Sequence, residues 1–133
     1  ADKLRAGMAE ATPEEFQKGL EAITTAMVRN EEQRALVLAD AKASDRRTVA
    51  NAFHELIVTD LRPELSSIRV PVTVLYVTPE GVPLTDAQID AVYQASYAPL
   101  AGVELVRIPD SAHFIMSDNP ERFKAEMKAF LAE

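Results

Sequence analysis

The chain has 133 residues, 47% of them apolar and 26% charged, with a net charge of −7 and a pI near 4.9. That length and balance suit a globular chain with a real core, and apolar residues recurring throughout exclude disorder. The negative surface repels phosphate backbones and anionic lipid, so no nucleic-acid and no membrane-surface role is expected. Cysteine is absent, which removes disulfides, thiolate metal sites and cysteine nucleophiles together. No apolar run approaches the roughly 20 residues that span a bilayer, and no secretory signal is visible. A reducing, cytoplasmic setting is the expectation. The chain opens at Ala1 in mid-pattern, which suggests a trimmed or cleaved start.

Residues 1–69 read as helical. Thr12-Pro13-Glu14-Glu15 is a helix start: Thr12 caps, Pro13 suits the first helical position, and Glu15 completes a capping box. Phe16, Leu20, Ile23 and Met27 then form one apolar stripe, with an end expected at Asn30. Residues 31–43 are rich in strong helix formers and read as a solvated helix. Ser44 or Asp45 caps a third helix, striped by Val49, Phe53, Leu56 and Ile57 and expected to end just before Pro63.

The texture changes at Ile68. Val70 to Val77 is β-branched and almost wholly apolar, as in a parallel strand buried on both faces. Thr78 to Pro83 is a loop. Thr85 caps the next helix with Gln88 as box partner, and Ile89, Val92, Tyr93 and Tyr97 carry its stripe. Pro99 and Gly102 stop that helix, and Val103 to Ile108 is a second strand. Pro109 to Asn119 reads as a long loop. Pro120 starts a last helix with Phe123, Met127, Phe130 and Leu131 turned inward. Strand, long connection, strand implies a parallel pair with a right-handed crossover, hence an α/β class. Two strands alone do not make a stable open sheet, so a neighbour of Val70–Val77 is missing.

Of the two histidines, His54 lies on a helix and reads as an exposed or boundary residue. His113 lies in a loop beyond the second strand, inside Pro109-Asp110-Ser111-Ala112-His113-Phe114. Loops at the C-terminal ends of parallel strands are where α/β folds place reactive groups. The Phe114-Ile115-Met116 run would hold that loop down. Glu80 follows the first strand at the same sheet edge. Adjacent strands lie about 4.8 Å apart, so a carboxylate there can reach an imidazole on the next loop. A general-base histidine needs such an acid to set its tautomer and stabilise the imidazolium. Asp110 and Asp118 are rivals. Asp110 reads better as a bond to its own loop, Asp118 or Asn119 as the cap of the last helix, and Asp86 as favourable charge at a helix start. No G-x-S-x-G, G-x-G-x-x-G, P-loop or H-E-x-x-H occurs. No serine sits on a strand-to-helix elbow. Neither a metal nor a cofactor is expected.

The tail Ile108-Pro109-Asp110-Ser111-Ala112-His113-Phe114-Ile115-Met116, followed by Asp118-Asn119-Pro120-Glu121-Arg122-Phe123 and Phe130-Leu131, resembles the C-terminus of α/β-hydrolase-fold enzymes. The segment Ile68 to Tyr76, with its "I-x-x-P-V" opening, is similar to that family's preceding strand. The resemblance covers residues 68–133. It implies an incomplete α/β-hydrolase fold: a helical lid over 1–67, placed by position only, then strand, helix, strand, helix over 68–133. It makes His113 the catalytic histidine. The family's acid often follows the strand as "G-x-x-D"; here Val77-Thr78-Pro79-Glu80 stands there, with valine for glycine and glutamate for aspartate. Glutamate serves in some members, so Glu80 is the implied acid. Phe114 and Met116, beside the histidine, are the expected substrate contacts. The nucleophile elbow and oxyanion loop belong to strands preceding the lid and are absent from this chain. The implied activity is that of a serine-type hydrolase on a small-molecule ester, lactone or related acyl substrate, with this chain inert alone. The other reading is a non-catalytic fragment serving as an association module. Either way the open strand edge predicts a homo-oligomer or a complex with the missing N-terminal half.

Overall fold

The computed structural model describes residues 1–132, which divide into two compact units. The first comprises 1–25 and 31–60, and the second 26–30 and the chain from Leu61 onward. Residues 61–67, read above with the helical part, pack in the second unit, as does the short 26–30 segment.

The first unit is helical: α1 (Asp2–Glu10), most of α2 (Pro13–Met27), α3 (Glu31–Ala43) and α4 (Arg46–Val58). The capping box at Thr12 forms. The Glu15 N–H donates to the Thr12 hydroxyl at 3.2 Å, and the Thr12 N–H donates to the Glu15 carboxylate at 2.8 Å. The Thr12 N–H bond foremost, and then the Thr12 hydroxyl donating to the same carboxylate at 2.8 Å, hold the Glu15 carboxyl below its ordinary range. Leu20 and Thr24 are the buried residues of α2. Asp45 caps α4 by accepting the Thr48 N–H. The buried face of α4 is rotated from the expected stripe: Ala50 is fully buried and His54 half-buried, whereas Leu56 and Ile57 are exposed. The cause is α1, which packs along α4. His54 Nε2 there lies 3.1 Å from Asp2 Oδ1, so this histidine has a structural partner. α4 stops at Val58 rather than near Pro63. Pro63 instead opens a separate 3₁₀ turn, Arg62–Ser67, where its missing N–H is no loss.

The second unit holds β1 (Thr73–Tyr76), α5 (Asp86–Tyr97), β2 (Glu104–Arg107), a one-turn helix α6 (Ile115–Asp118) and α7 (Pro120–Leu131). The strands pair in parallel, Thr73 opposite Glu104 and Tyr76 opposite Arg107. Both are shorter than the apolar runs suggest. Single bonds extend the ladder at each end, Glu104 N–H to Val72 O at 3.0 Å and Ile108 N–H to Tyr76 O at 2.8 Å. Among the described residues β1 pairs with β2 alone. The expectation that both faces of Val70–Val77 are buried fails for that reason: Tyr76 and Val77 are buried, Thr73 to Leu75 are half-buried, and Val70 is 68% exposed.

The capping box at Thr85 and Gln88 forms in full. The core of this unit gathers Val77, Ile108 and Ile115, with Leu75, Val106 and Phe123 packed against them. α7 turns only Phe123 firmly inward; Met127, Phe130 and Leu131 are exposed, contrary to the sequence pattern. They line or flank a groove of ≈ 360 Å³ between α7 and β1, with Pro71, Val72, Thr73 and Leu75 as its other wall. The stripe on α7 is real, but the surface it would bury against is the unpaired side of β1.

Candidate active site

The parallel register brings the loops after β1 and β2 to one sheet edge. Glu80 lies four residues past Tyr76 and His113 six past Arg107, and Tyr76 and Arg107 are register partners. Both side chains therefore belong to the C-terminal edge, where a parallel sheet leaves its reactive groups accessible.

His113 is presented from a peptide held on both sides. Ser111 and Ala112 before it are buried, and Ile115 after it is buried, yet His113 itself is exposed. Ile115 joins Ile108 and Val77 in the core, so the residues that follow both strands anchor the histidine loop. Phe114 is half-buried and meets the imidazole edge-on, with ring centroids 5.8 Å apart. Met116 is exposed. The segment read as loop from Pro109 to Asn119 contains α6, because Ser117, Asp118 and Asn119 N–H groups close a turn onto Phe114 and Ile115 carbonyls.

Two further features of this edge were not read from the sequence. Asp118 is not a cap; Asn119 caps α7, accepting the Arg122 N–H. The Asp118 carboxylate instead bridges loops. Its Oδ1 accepts the N–H groups of Arg29 and Asn30, each at 2.9 Å, and its Oδ2 accepts that of Ala112 at 2.8 Å. Beside it the Phe114 N–H donates to the Met27 carbonyl at 3.1 Å. Val28, between these contacts, is fully buried. The second feature is Arg29, whose guanidinium lies 2.6 Å from the Glu80 carboxylate. Among the described residues Glu80 is joined to Arg29, and no hydrogen bond links it to His113.

Asp86, read as helix-start charge, also has a partner. Arg107 on β2 donates to Asp86 at 2.5 Å and to Asp90 at 2.9 Å, two carboxylates one helical turn apart on α5. Tyr76 on β1 donates its hydroxyl to the same Asp90 oxygen at 2.7 Å. Thr78 donates to Asp86 at 2.7 Å. This network crosses β1, β2 and α5 and fixes the base of the edge that carries His113. Asp90 is held below its ordinary range first by the Tyr76 bond and then by Arg107. Asp110 takes a positive φ of 55° in the histidine loop. No group of ligating side chains that could hold a metal occurs among the described residues, and no described helix is long and apolar enough to cross a membrane.

No family model matches the chain, and no curated protein matches it significantly. Solved structures do match. A hydrolase from Pseudomonas aeruginosa superposes with a TM-score of 0.74 at 22% identity, over 99% of this chain and 49% of its own. The enol-lactonase from Burkholderia xenovorans superposes with a TM-score of 0.68 at 25% identity, over 97% of this chain and 49% of its own. The architecture is a partial α/β-hydrolase fold. The chain spans about half the length of each of these neighbours.

Proposed function

We propose that this chain is the histidine-bearing part of a serine-type α/β-hydrolase acting on an ester, lactone or related acyl substrate, and that it does not turn over alone. The observation that carries this reading is the exposed His113 on a loop whose flanking residues are buried, at the sheet edge shared with Glu80. The hydrolase and enol-lactonase neighbours support the reaction class. His113 acts as general base toward a serine hydroxyl supplied from outside this chain, then returns the proton to the leaving group. Glu80 is the orienting acid. It must give His113 one oxygen while Arg29 keeps the other, or release Arg29 altogether. Phe114, edge-on to the imidazole, and Met116, three residues past His113, contact the substrate. The setting is cytoplasmic, and the chain works in association with a nucleophile-bearing segment or a second copy.

The test is turnover of a nitrophenyl ester by this chain alone and by the same chain joined to a segment bearing a strand–G-x-S-x-G–helix, encoded upstream. The chain alone is expected to be silent, and the joined form active. In the joined form Glu80→Gln should lower turnover by on the order of 10⁴ with the fold unchanged. Activity of the chain alone that His113→Ala abolishes would overturn the missing-nucleophile reading. Near-full activity of the Glu80→Gln form would move the acid role to another carboxylate. The non-catalytic association module is the outcome if the joined form, though folded, has no activity.

A further inference from the structure

We infer that Asp118 is the positioning residue of His113. The inference rests on the catalytic reading of His113, but its geometry stands apart from that reading. A histidine acting on a reacting atom must be held within about half an ångström of its productive place. An exposed loop does not do this by itself, because backbone groups in loops open easily. Here the backbone N–H groups of both residues beside His113 are held, one by Asp118 and the other by Met27. On one side the Ala112 N–H donates to Asp118 Oδ2 at 2.8 Å. On the other the Phe114 N–H donates to the Met27 carbonyl at 3.1 Å. The same carboxylate closes the circle through Oδ1, which takes the Arg29 and Asn30 N–H groups at 2.9 Å.

Three N–H donors on one carboxylate are charge-assisted bonds, roughly twice as strong as neutral ones. The donors Arg29 and Asn30 lie 89 and 88 residues from Asp118, so this is tertiary design and not a helix cap. α6 is what makes it possible. Its single turn reverses the chain after Phe114, bringing Asp118 back beside Ala112, six residues earlier. The clamp also fixes the backbone of Arg29, whose guanidinium holds Glu80. One side chain thus sets the backbone positions behind both expected members of the triad, without touching substrate.

The two oxygens do separable work, which makes the inference testable by substitution. Asp118→Asn keeps one carbonyl oxygen for Arg29 and Asn30, but puts an NH₂ where Ala112 needs an acceptor. Asp118→Ala removes both. Amide hydrogen exchange on the purified chain, read residue by residue by NMR, should show protection at Ala112 falling tenfold or more in Asp118→Asn, with Arg29 and Asn30 spared. All three should fall in Asp118→Ala. Exchange in β1, β2 and α5 should not change in either. Carbon relaxation of the His113 ring should report greater motion in both variants, with the His54 ring as internal control. Uniform acceleration of exchange across the second unit, or an unchanged His113 ring, would reduce Asp118 to a merely stabilising residue and overturn the inference. If Asp118→Ala fails to fold, Asp118→Asn alone decides, through the Ala112 amide and the ring. In the joined, active form Asp118→Asn should lower kcat with KM unchanged. A folded joined form without turnover refutes the catalytic reading and leaves the exchange and ring measurements to judge the clamp.

Discussion

Asp90→Ala should destabilise the second unit through Tyr76, the β1 residue that Asp90 meets from α5. The Tyr76 hydroxyl has Asp90 as its partner at 2.7 Å, and the residue is only 6% exposed. Removing the carboxylate leaves a buried hydroxyl without its acceptor, which costs about 1–3 kcal/mol. Arg107 loses one bond but keeps Asp86 at 2.5 Å, and with 29% of its side chain exposed it can turn to water, so its share is small. The expected loss is about 1–3 kcal/mol, a fall in melting midpoint of roughly 4–20 °C for a domain of this size. Tyr76→Phe should cost less than Asp90→Ala, because Asp90 still pairs with Arg107 at 2.9 Å. The double variant should recover part of the Asp90→Ala loss, since no orphaned hydroxyl remains. Urea unfolding followed by circular dichroism at fixed protein concentration measures all three. An optical titration gives a second reading. Burial first, then the bond to Asp90, pushes the Tyr76 phenol up to about 12. A phenol raised in the folded state contributes stability fully present below its unfolded value of about 10. That contribution is lost as pH rises through about 12. Tyr76 should therefore resist ionisation until about pH 12 in the native chain and titrate earlier in Asp90→Ala. An Asp90→Ala chain that keeps both its midpoint and its late-titrating tyrosine would refute the reasoning.

Gly102→Ala should cost about 1–2 kcal/mol, because Gly102 sits at φ 73° although an added Cβ would meet no atom within 4 Å; an unchanged midpoint would show that the turn relaxes freely. His113→Ala should leave thermal stability within about 0.5 kcal/mol, since the residue is exposed and its loop is anchored by its neighbours; a large loss would make the imidazole structural. The chain should self-associate at micromolar concentration, because β1 has an open edge beside an apolar groove lined by Phe123, Met127 and Phe130. Sedimentation equilibrium checks this, and a monodisperse monomer with a cooperative transition would count against it.

Local chemistry was legible. Thr12 with Glu15 and Thr85 with Gln88 announce helix starts because the capping box is complete within four residues, and both form. The parallel pair followed from strand, long helical connection, strand, and the register bears it out. His113 stood out by its place after the second strand. Element ends were less legible, and each miss has a cause outside the local pattern. α2 stops at Met27, and Val28 after it is fully buried in the second unit. The apolar run Val70–Val77 and the α7 stripe are patterns suited to burial, but among the described residues β1 pairs with β2 alone and both stay largely open.

The expected acid site shows most sharply where sequence reading stops. A carboxylate's role is set by which donors reach it, and donors come from anywhere in the chain. Asp118 precedes Asn119-Pro120, so local propensity favours a cap for either residue. Asn119 takes that role, and Asp118 is then free to accept donors 88 and 89 residues away. Glu80 sits where the resembling family keeps its acid, yet its partner is Arg29, from a segment with no motif at all. Asp86 reads as favourable charge at a helix start until Arg107, alternating with apolar neighbours on β2, is seen to pair with it and with Asp90. In each case a long-range partner, not the local pattern, decides which donors the carboxylate takes. Mutations that matter most to His113 should therefore lie in segments such as 27–30 that carry no recognisable signature of their own.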